Sequence, residues 1–426
     1  MRLKVRAGQL WRSPDFLKLW AGETVSLLGS QVTNLALPLL VILTLRATAL
    51  QVTLLNAVLW APYLCFPLFA GWWVDRHRRR PLLIIADLCR AVLLGLLPLA
   101  AALHLLRIEL VYLVALLVGL FTVIFDLAYK AYLPAILGRE HLVEGNSKLQ
   151  LSSSVAQIGG PGLGGLLVQL LTAPFALLFD ACSFLVSALG VLLIRQREEA
   201  PASTRTAGSM WRQIGAGLQL TFHNPYLRLL ALAAMTYNLF SQVMMALFVV
   251  YATRELQIAP ALLGTIIAAG SIGALGGSLL AGPLARRVGL GPALIYTGLI
   301  ECLPLILLPL AAGPQLLKIL LLMAAFIFNG VGLSCGNIYY PSLRQALAPR
   351  EFLGRVTASY SWLSLGAVPL GALLAGGLQG WIGLRGTLLC GAVGTLLSVI
   401  WLCDARLRKL RTLPQQVSFI DSEREK

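Results

Sequence analysis

The sequence predicts an all-α membrane protein with twelve transmembrane helices in two six-helix pseudo-repeats, and three observations carry that prediction. Of its 426 residues, 58% are hydrophobic and only 12% charged, with a mean hydropathy of +0.80, so the bilayer must be the main solvent. Apolar runs of bilayer-crossing length, about 20 residues each, follow one another with short charged turns between them. Landmarks of the first half recur 211 residues later: Gly71 with Gly282, Arg76 with Arg287, Pro81 with Pro292, Tyr129 with Tyr340, Arg139 with Arg350, and Glu140 with Glu351. Leucine-rich chains coincide by chance at leucine, but hardly at loop Gly, Arg and Pro together. Two halves related as parallel repeats are therefore expected.

In chain order, Met1 to Asp15 is basic (Arg2, Lys4, Arg6, Arg12), and the apolar run after it is too long for a signal-peptide core, so it reads as an uncleaved first span. Spans are expected near 18–45, 50–73, 81–103, 110–134, 147–170 and 174–195, forming an N-terminal bundle over 1–196. A cytoplasmic linker over 197–225 carries Trp211, Ile214, Leu218 and Phe222 at helical spacing, which suits an amphipathic helix on the inner membrane surface. Spans near 226–252, 259–284, 291–312, 315–341, 352–379 and 385–404 form the C-terminal bundle over 226–404, followed by a cytoplasmic tail over 405–426.

The basic residues orient this layout. Segments assigned to the cytoplasm hold 27 of the 34 Lys and Arg, external segments five and spans two (Arg90, Lys130), a bias that places both termini inside. The same distribution excludes nucleic acid as the partner that a net charge of +16 would otherwise suggest. All seven cysteines fall in apolar runs without C-x-x-C spacing, so free thiols are expected. The four histidines sit at span ends or in loops, with no metal-binding spacing and no phosphate-binding loop elsewhere. Enzymatic chemistry, metals and cofactors are thus not expected.

Two motifs stand out. Between spans 2 and 3 lies Gly71-Trp-Trp-Val-Asp75-Arg76-His-Arg78-Arg79-Arg80-Pro81, in which four cations within five residues fix the turn inside and Pro81 opens the next helix. Span 5 contains Gly159-Gly160-Pro161-Gly162-Leu-Gly164-Gly165, where closely spaced glycines let helices approach and the proline bends the helix. The first motif resembles the loop signature of major facilitator superfamily transporters, departing from its usual form at Trp73 and Arg78. The second resembles the signature of that superfamily's antiporters, where it seals the cavity against leak. Segments such as Phe125-Asp126-Leu-Ala-Tyr129-Lys130, Phe179-Asp180-Ala-Cys-Ser183 and Leu353-Gly354-Arg355 are similar to its drug-efflux branch, which contains macrolide and enterobactin exporters. The resemblance implies the major facilitator fold. It also implies a gating role for Gly71, Asp75, Arg76, Arg79 and Arg80, and a sealing role for Gly160, Pro161, Gly164 and Gly165.

Charges inside spans are expensive, and each is a functional candidate. The resemblance puts spans 3, 6, 9 and 12 at the periphery, where Asp87 and Arg90 read as an ion pair and Asp180 as a hydrogen-bonding group. Glu301 in span 9 reads as protonated or paired. Glu23, ahead of Thr24, Ser26, Gln31 and Asn34 in a polar stripe of span 1, is the first candidate to carry a coupling proton. Asp126 and Lys130, on one face of span 4, are the next, although their spacing equally fits an ion pair with each other or with the loop arginines. Asn34, Asn56, Tyr63, Gln157, Tyr237, Asn238, Gln242, Asn329 and Trp362 are candidates to line a substrate cavity, and each equally suits a packing role.

The expected function is secondary active transport, as a monomer in the cell (inner) membrane: proton-coupled antiport exporting amphipathic small molecules. Uptake by symport and flipping of lipid or lysophospholipid remain alternatives, and a non-transporting sensor or scaffold is the reading from another class. The topology makes one prediction. In a cysteine-free background, an impermeant thiol reagent added outside the cell should label Thr172→Cys and miss Ser203→Cys. The reverse pattern would overturn the layout.

Overall fold

The structure is a computed structural model, and it describes residues 13–66, 73–74, 76–137, 142–195, 218–348 and 353–411. Of the gating loop, Gly71 and Asp75 lie outside the described residues, as do Trp211 and Ile214 of the linker.

The described chain is helical, and each span starts or stops for a local reason. Helix α1 (Pro14–Leu39) opens with Ser13 accepting from the Phe16 N–H at 3.4 Å and Pro14 in its first turn, then continues as a π-helix, Leu40–Thr44. α2 (Ala49–Cys65) starts with a reciprocal Thr48 and Gln51 capping box. α3 (Arg79–Ala102), α4 (Ile108–Leu137) and α5 (Leu142–Leu171) follow. A single residue, Thr172 at φ 74°, turns the chain into α6 (Ala173–Leu192). The second half holds α7 (Pro225–Arg254), α8 (Pro260–Val288) and α9 (Leu290–Cys302). α9 passes through a 3₁₀ turn at Leu303–Ile306, where Pro304 removes a backbone donor, and resumes at Leu307–Leu310. α10 (Gln315–Leu347) precedes a continuous run, Leu353–Leu402, which breaks at Gly383 (φ 72°) into α11 (353–382) and α12 (384–402).

Ten helical runs among the described residues are long and apolar enough to span a membrane, the run 353–402 counted once. Splitting that run at Gly383 and adding the 17-residue apolar α2 gives the twelve crossings the sequence predicts. The structure differs in detail. α2 is described only to Phe66, short of the expected end at 73, and α8 and α10 run to Val288 and Leu347, past their expected ends at 284 and 341.

Two compact units result, one holding α1–α6 with the hairpin Val249–Ala268, the other holding Thr206–Phe248 and Ala269–Lys426. Within each, helices approach through glycine, as bilayer packing requires. A Cβ on Gly119 of α4 would lie 2.9 Å from the Leu59 carbonyl of α2, and one on Gly330 of α10 would lie 1.9 Å from the Gly270 carbonyl of α8. Both residues of the second pair stand 211 positions after those of the first, so the repeat read from loop landmarks also governs helix contacts.

Gly330→Leu should therefore deplete monodisperse protein in size-exclusion chromatography, because backbone must shift to admit the side chain. Gly95→Leu, at a position with nothing within 4 Å of a Cβ, should leave the profile unchanged.

Candidate functional site

The first unit contains a cavity of about 440 Å³ between α1, α4 and α5. Glu23 comes from α1, Tyr129 and Lys130 from α4, and Asn146, Gln150 and Ser153 from α5. Thr24 fixes the α1–α5 side: its hydroxyl donates to the Trp20 carbonyl at 2.7 Å and is hydrogen-bonded to Ser152 Oγ at 2.8 Å. Glu23 Oε2 and the Tyr129 hydroxyl are buried with no hydrogen-bond partner among the described residues. Unpaired buried polar atoms cost about 1–3 kcal/mol each, so the cavity wall is incomplete without a proton, water or ligand.

Beside this cavity the bundle gathers charge. Asp126 Oδ2 accepts from the Tyr63 hydroxyl at 3.3 Å, and Lys130 acts on Asp126 through space from the exposed side of α4. In α3, Arg90 is paired with Asp87, both buried, and its guanidinium lies 4.2 Å from the Phe125 ring centroid and 4.1 Å from that of Phe184. The ion pair expected from the i,i+3 spacing is thus present, enclosed by two aromatic faces. The Arg90 charge also reaches Glu23, Asp126 and Asp180. Asp180 is held as a bundle hydrogen-bonder, accepting from Ser183 Oγ at 2.9 Å. Four carboxyl groups (Glu23, Asp87, Asp126, Asp180) therefore share this region with two cations, Arg90 and Lys130.

The described part of the loop before α3 serves α6. Arg80 donates to the carbonyls of Val191 at 3.3 Å and Leu192 at 2.7 Å, and Lys18 donates to that of Leu193 at 2.8 Å, closing the helix C-terminus with cations. Arg76 is exposed and Arg79 half-buried.

The span 5 motif is a close-packed junction. Cβ atoms built on Gly160 and Gly164 would lie 2.3 Å from Gln31 Cβ and 3.1 Å from Val32 Cα of α1. One on Gly165 would lie 2.2 Å from the Pro260 carbonyl, and one on Gly264 of α8 would lie 2.2 Å from the Pro161 carbonyl. The motif thus joins α5 to α1 on one side and to the start of α8 on the other.

The cavity candidates divide between the units. In the first, Asn34 is exposed, Asn56 Nδ2 donates to the Val52 carbonyl of its own helix at 3.0 Å, and Gln157 Nε2 donates to Ser153 Oγ at 3.2 Å, next to the cavity. In the second, Asn329 Nδ2 donates to the Tyr237 hydroxyl at 3.0 Å, and Asn238 Nδ2 donates to Ser364 Oγ at 2.7 Å. Gln242 abuts Gly371, and Trp362 is partly exposed. Tyr129, Asn146, Gln150 and Ser153 are cavity residues the candidate set omitted. For Tyr129 a signal existed, since it stands one turn from Asp126 and pairs with Tyr340 in the repeat.

Twelve apolar crossings in two repeats, with ionisable groups buried among them and no His, Cys, Asp and Glu cluster for a metal among the described residues, define the class: a multi-span membrane transporter. The chain belongs to the transmembrane secretion effector family of the major facilitator superfamily, matching it over residues 10–421. It is 29% identical over 412 residues to the multidrug efflux pump Tap of Mycolicibacterium fortuitum, covering 94% of this chain and 97% of that one. It is 24% identical over 415 residues to the enterobactin exporter EntS of Escherichia coli O1:K1 / APEC, covering 96% of each. Macrolide efflux protein A of Streptococcus pyogenes is 23% identical over 383 residues, or 88% of this chain and 93% of that one. Among solved structures, a bacterial homologue of the iron transporter ferroportin in its inward-facing state superposes with a TM-score of 0.73 at 19% identity, over 93% of this chain and 98% of that one. The nucleoside transporter NupG gives 0.71, at 14% identity over 93% and 99%. These two show the fold.

Gly165→Leu should separate α5 from the start of α8. Proteoliposomes carrying it should leak an internal dye faster than the wild type or yield no folded protein, whereas Gly162→Leu, at an open position, should match wild type on both measures.

Proposed function

We propose that this transporter exports amphipathic small molecules of drug, macrolide or siderophore type by proton-coupled antiport and alternating access. It works as a monomer in the cell (inner) membrane, with both termini cytoplasmic and the two six-helix bundles as its moving parts. The observation that carries this reading is the charge count beside the cavity. Among the described residues, two cations offset at most two of the four carboxyls, and a bilayer interior leaves no room for uncompensated charge. The others must take a proton or a cation from outside the protein. Efflux function in Tap, EntS and macrolide efflux protein A supports the outward direction.

Glu23 carries the coupling proton and Asp126 is the reserve. Of the four carboxyls, Glu23 alone lines the cavity, and its Oε2 has no hydrogen-bond partner among the described residues. With the site open outward, Glu23 takes a proton and becomes neutral; with it open inward, the proton leaves and the carboxylate can attract a cationic cargo. Lys130, on the same wall, sets the local field against which that exchange occurs. The junction at Gly160, Pro161, Gly164 and Gly165 keeps protons from leaking past the cargo path.

Glu23→Gln fixes the neutral state. In proteoliposomes loaded with a lipophilic cationic dye, it should lose proton-driven dye movement by at least about tenfold, the effect of about 1.4 kcal/mol of lost coupling. Dye-for-dye counterflow should persist. Undiminished proton-driven movement would sink the assignment to Glu23, and failure of Asp126→Asn instead would move it to α4.

A further inference from the structure

The second unit contains a buried acid to which the proposed cycle assigns no task. Glu301 of α9 is 7% exposed and fits a slot cut by two glycines one turn apart on α10. A Cβ on Gly332 would lie 2.4 Å from Glu301 Cβ, and one on Gly336 would lie 3.9 Å from Glu301 Oε2. Gly332 thus lets the α9 backbone at Thr297 and Glu301 close on α10, with the Glu301 carboxyl beside Gly336.

The groups facing Glu301 are polar but uncharged: Tyr237 from α7, Asn329, Tyr340 and Cys335 from α10, Tyr360 from α11, and its neighbour Cys302. α12 contributes Thr395 and Ser398, which contact Cys302. Among the described residues, no cation is paired with Glu301. Arg344 lies over the Tyr360 ring at 4.3 Å, and the helix carrying Arg406 and Arg408 meets α9 at Gly291, three turns away.

The hydrogen bonds have a direction. Asn329 Nδ2 donates to the Glu301 backbone carbonyl and to the Tyr237 hydroxyl, both at 3.0 Å, and Tyr237 is hydrogen-bonded to the Glu301 carboxyl. Because the Tyr237 oxygen accepts from an amide, its own hydrogen is free to point at Glu301. Two opposing influences therefore meet at one carboxyl. Burial without a counter-ion among the described residues favours the acid, and a polarised donor chain aimed at its oxygen favours the anion. An acid kept neutral only for packing has no use for the second.

We infer that Glu301, Tyr237 and Asn329 form a proton-binding site in the second unit, in which Glu301 reversibly binds one proton. On release, the carboxyl O–H bond breaks, the electron pair stays on oxygen, the proton passes to water, and the anion is held by the Tyr237 hydroxyl. Uptake is the reverse. The site is independent of the assignment of Glu23, and its test needs no transported substrate.

Infrared difference spectra of the full-length protein in lipid nanodiscs, recorded as the pH is raised, should contain a protonated-carboxyl carbonyl band that disappears reversibly and is missing from Glu301→Gln. Tyr237→Phe keeps the ring and removes the donor, so the same band should persist to higher pH, by about one pH unit or more. A Glu301 band that does not titrate, or no such band at any pH, overturns the proposal. So does an unshifted midpoint in Tyr237→Phe, which remains informative even where Glu301→Gln fails to fold.

Discussion

A bilayer solvates no charge, so every ionisable group carried into this bundle must be neutralised by what the protein places beside it. Most of the internal chemistry follows from that constraint. Arg90 is buried because Asp87 stands one turn away and two phenylalanine faces enclose it. Asp180 is tolerated because Ser183 donates to it, and Asp126 because Tyr63 does. Glu23 differs: on the cavity wall, beside the equally unpartnered Tyr129 hydroxyl, one of its carboxyl oxygens has no partner among the described residues. Among the carboxyl groups that share this region, Glu23 is the one that combines an unpartnered oxygen with a place on the cavity wall.

The second constraint is close approach. Lipid supplies no hydrophobic drive between helices, so contact depends on backbones meeting where side chains vanish. The two repeats meet it with exchanged residues. Gly29 of α1 receives Ser183 and Asp180 of α6, and 211 residues on Phe240 of α7 fills the space left by Gly394 of α12. The small and large partners change places while the helix pair is kept.

Much of the fold was legible because its signals are long: twelve apolar runs, a charge bias between turns, and a repeat at one fixed offset. Boundaries were less so. The 3₁₀ turn at Leu303–Ile306 depends on one proline within an apolar run, and the α11–α12 bend on one glycine. Of the site, Glu23 and Lys130 were legible as charges in apolar surroundings, and the structure sets both on one cavity. Gln150 and Ser153 were not, since polar residues near the end of a span look alike whether they face water, lipid or a cavity. The cluster of Glu301, Tyr237 and Asn329 joins three helices, and no sequence spacing links residues 64 and 28 positions apart.

The repeat also separates what holds the fold from what does something else. Arg90 and Glu301 occupy the same position in the two halves, 211 residues apart. The phenylalanines that enclose Arg90 are matched by Gly336 and Thr395, and its partner Asp87 by Gly298. One half thus buries a cation with its carboxylate between rings, and the other buries a lone acid in a glycine slot beside a tyrosine and an amide. Helix packing tolerates both solutions, so the packing requires neither charge. A neutral side chain at either position would spare the protein a desolvation cost. The asymmetry supports the proposed proton site at Glu301 and leaves the glycines opposite it to the architecture.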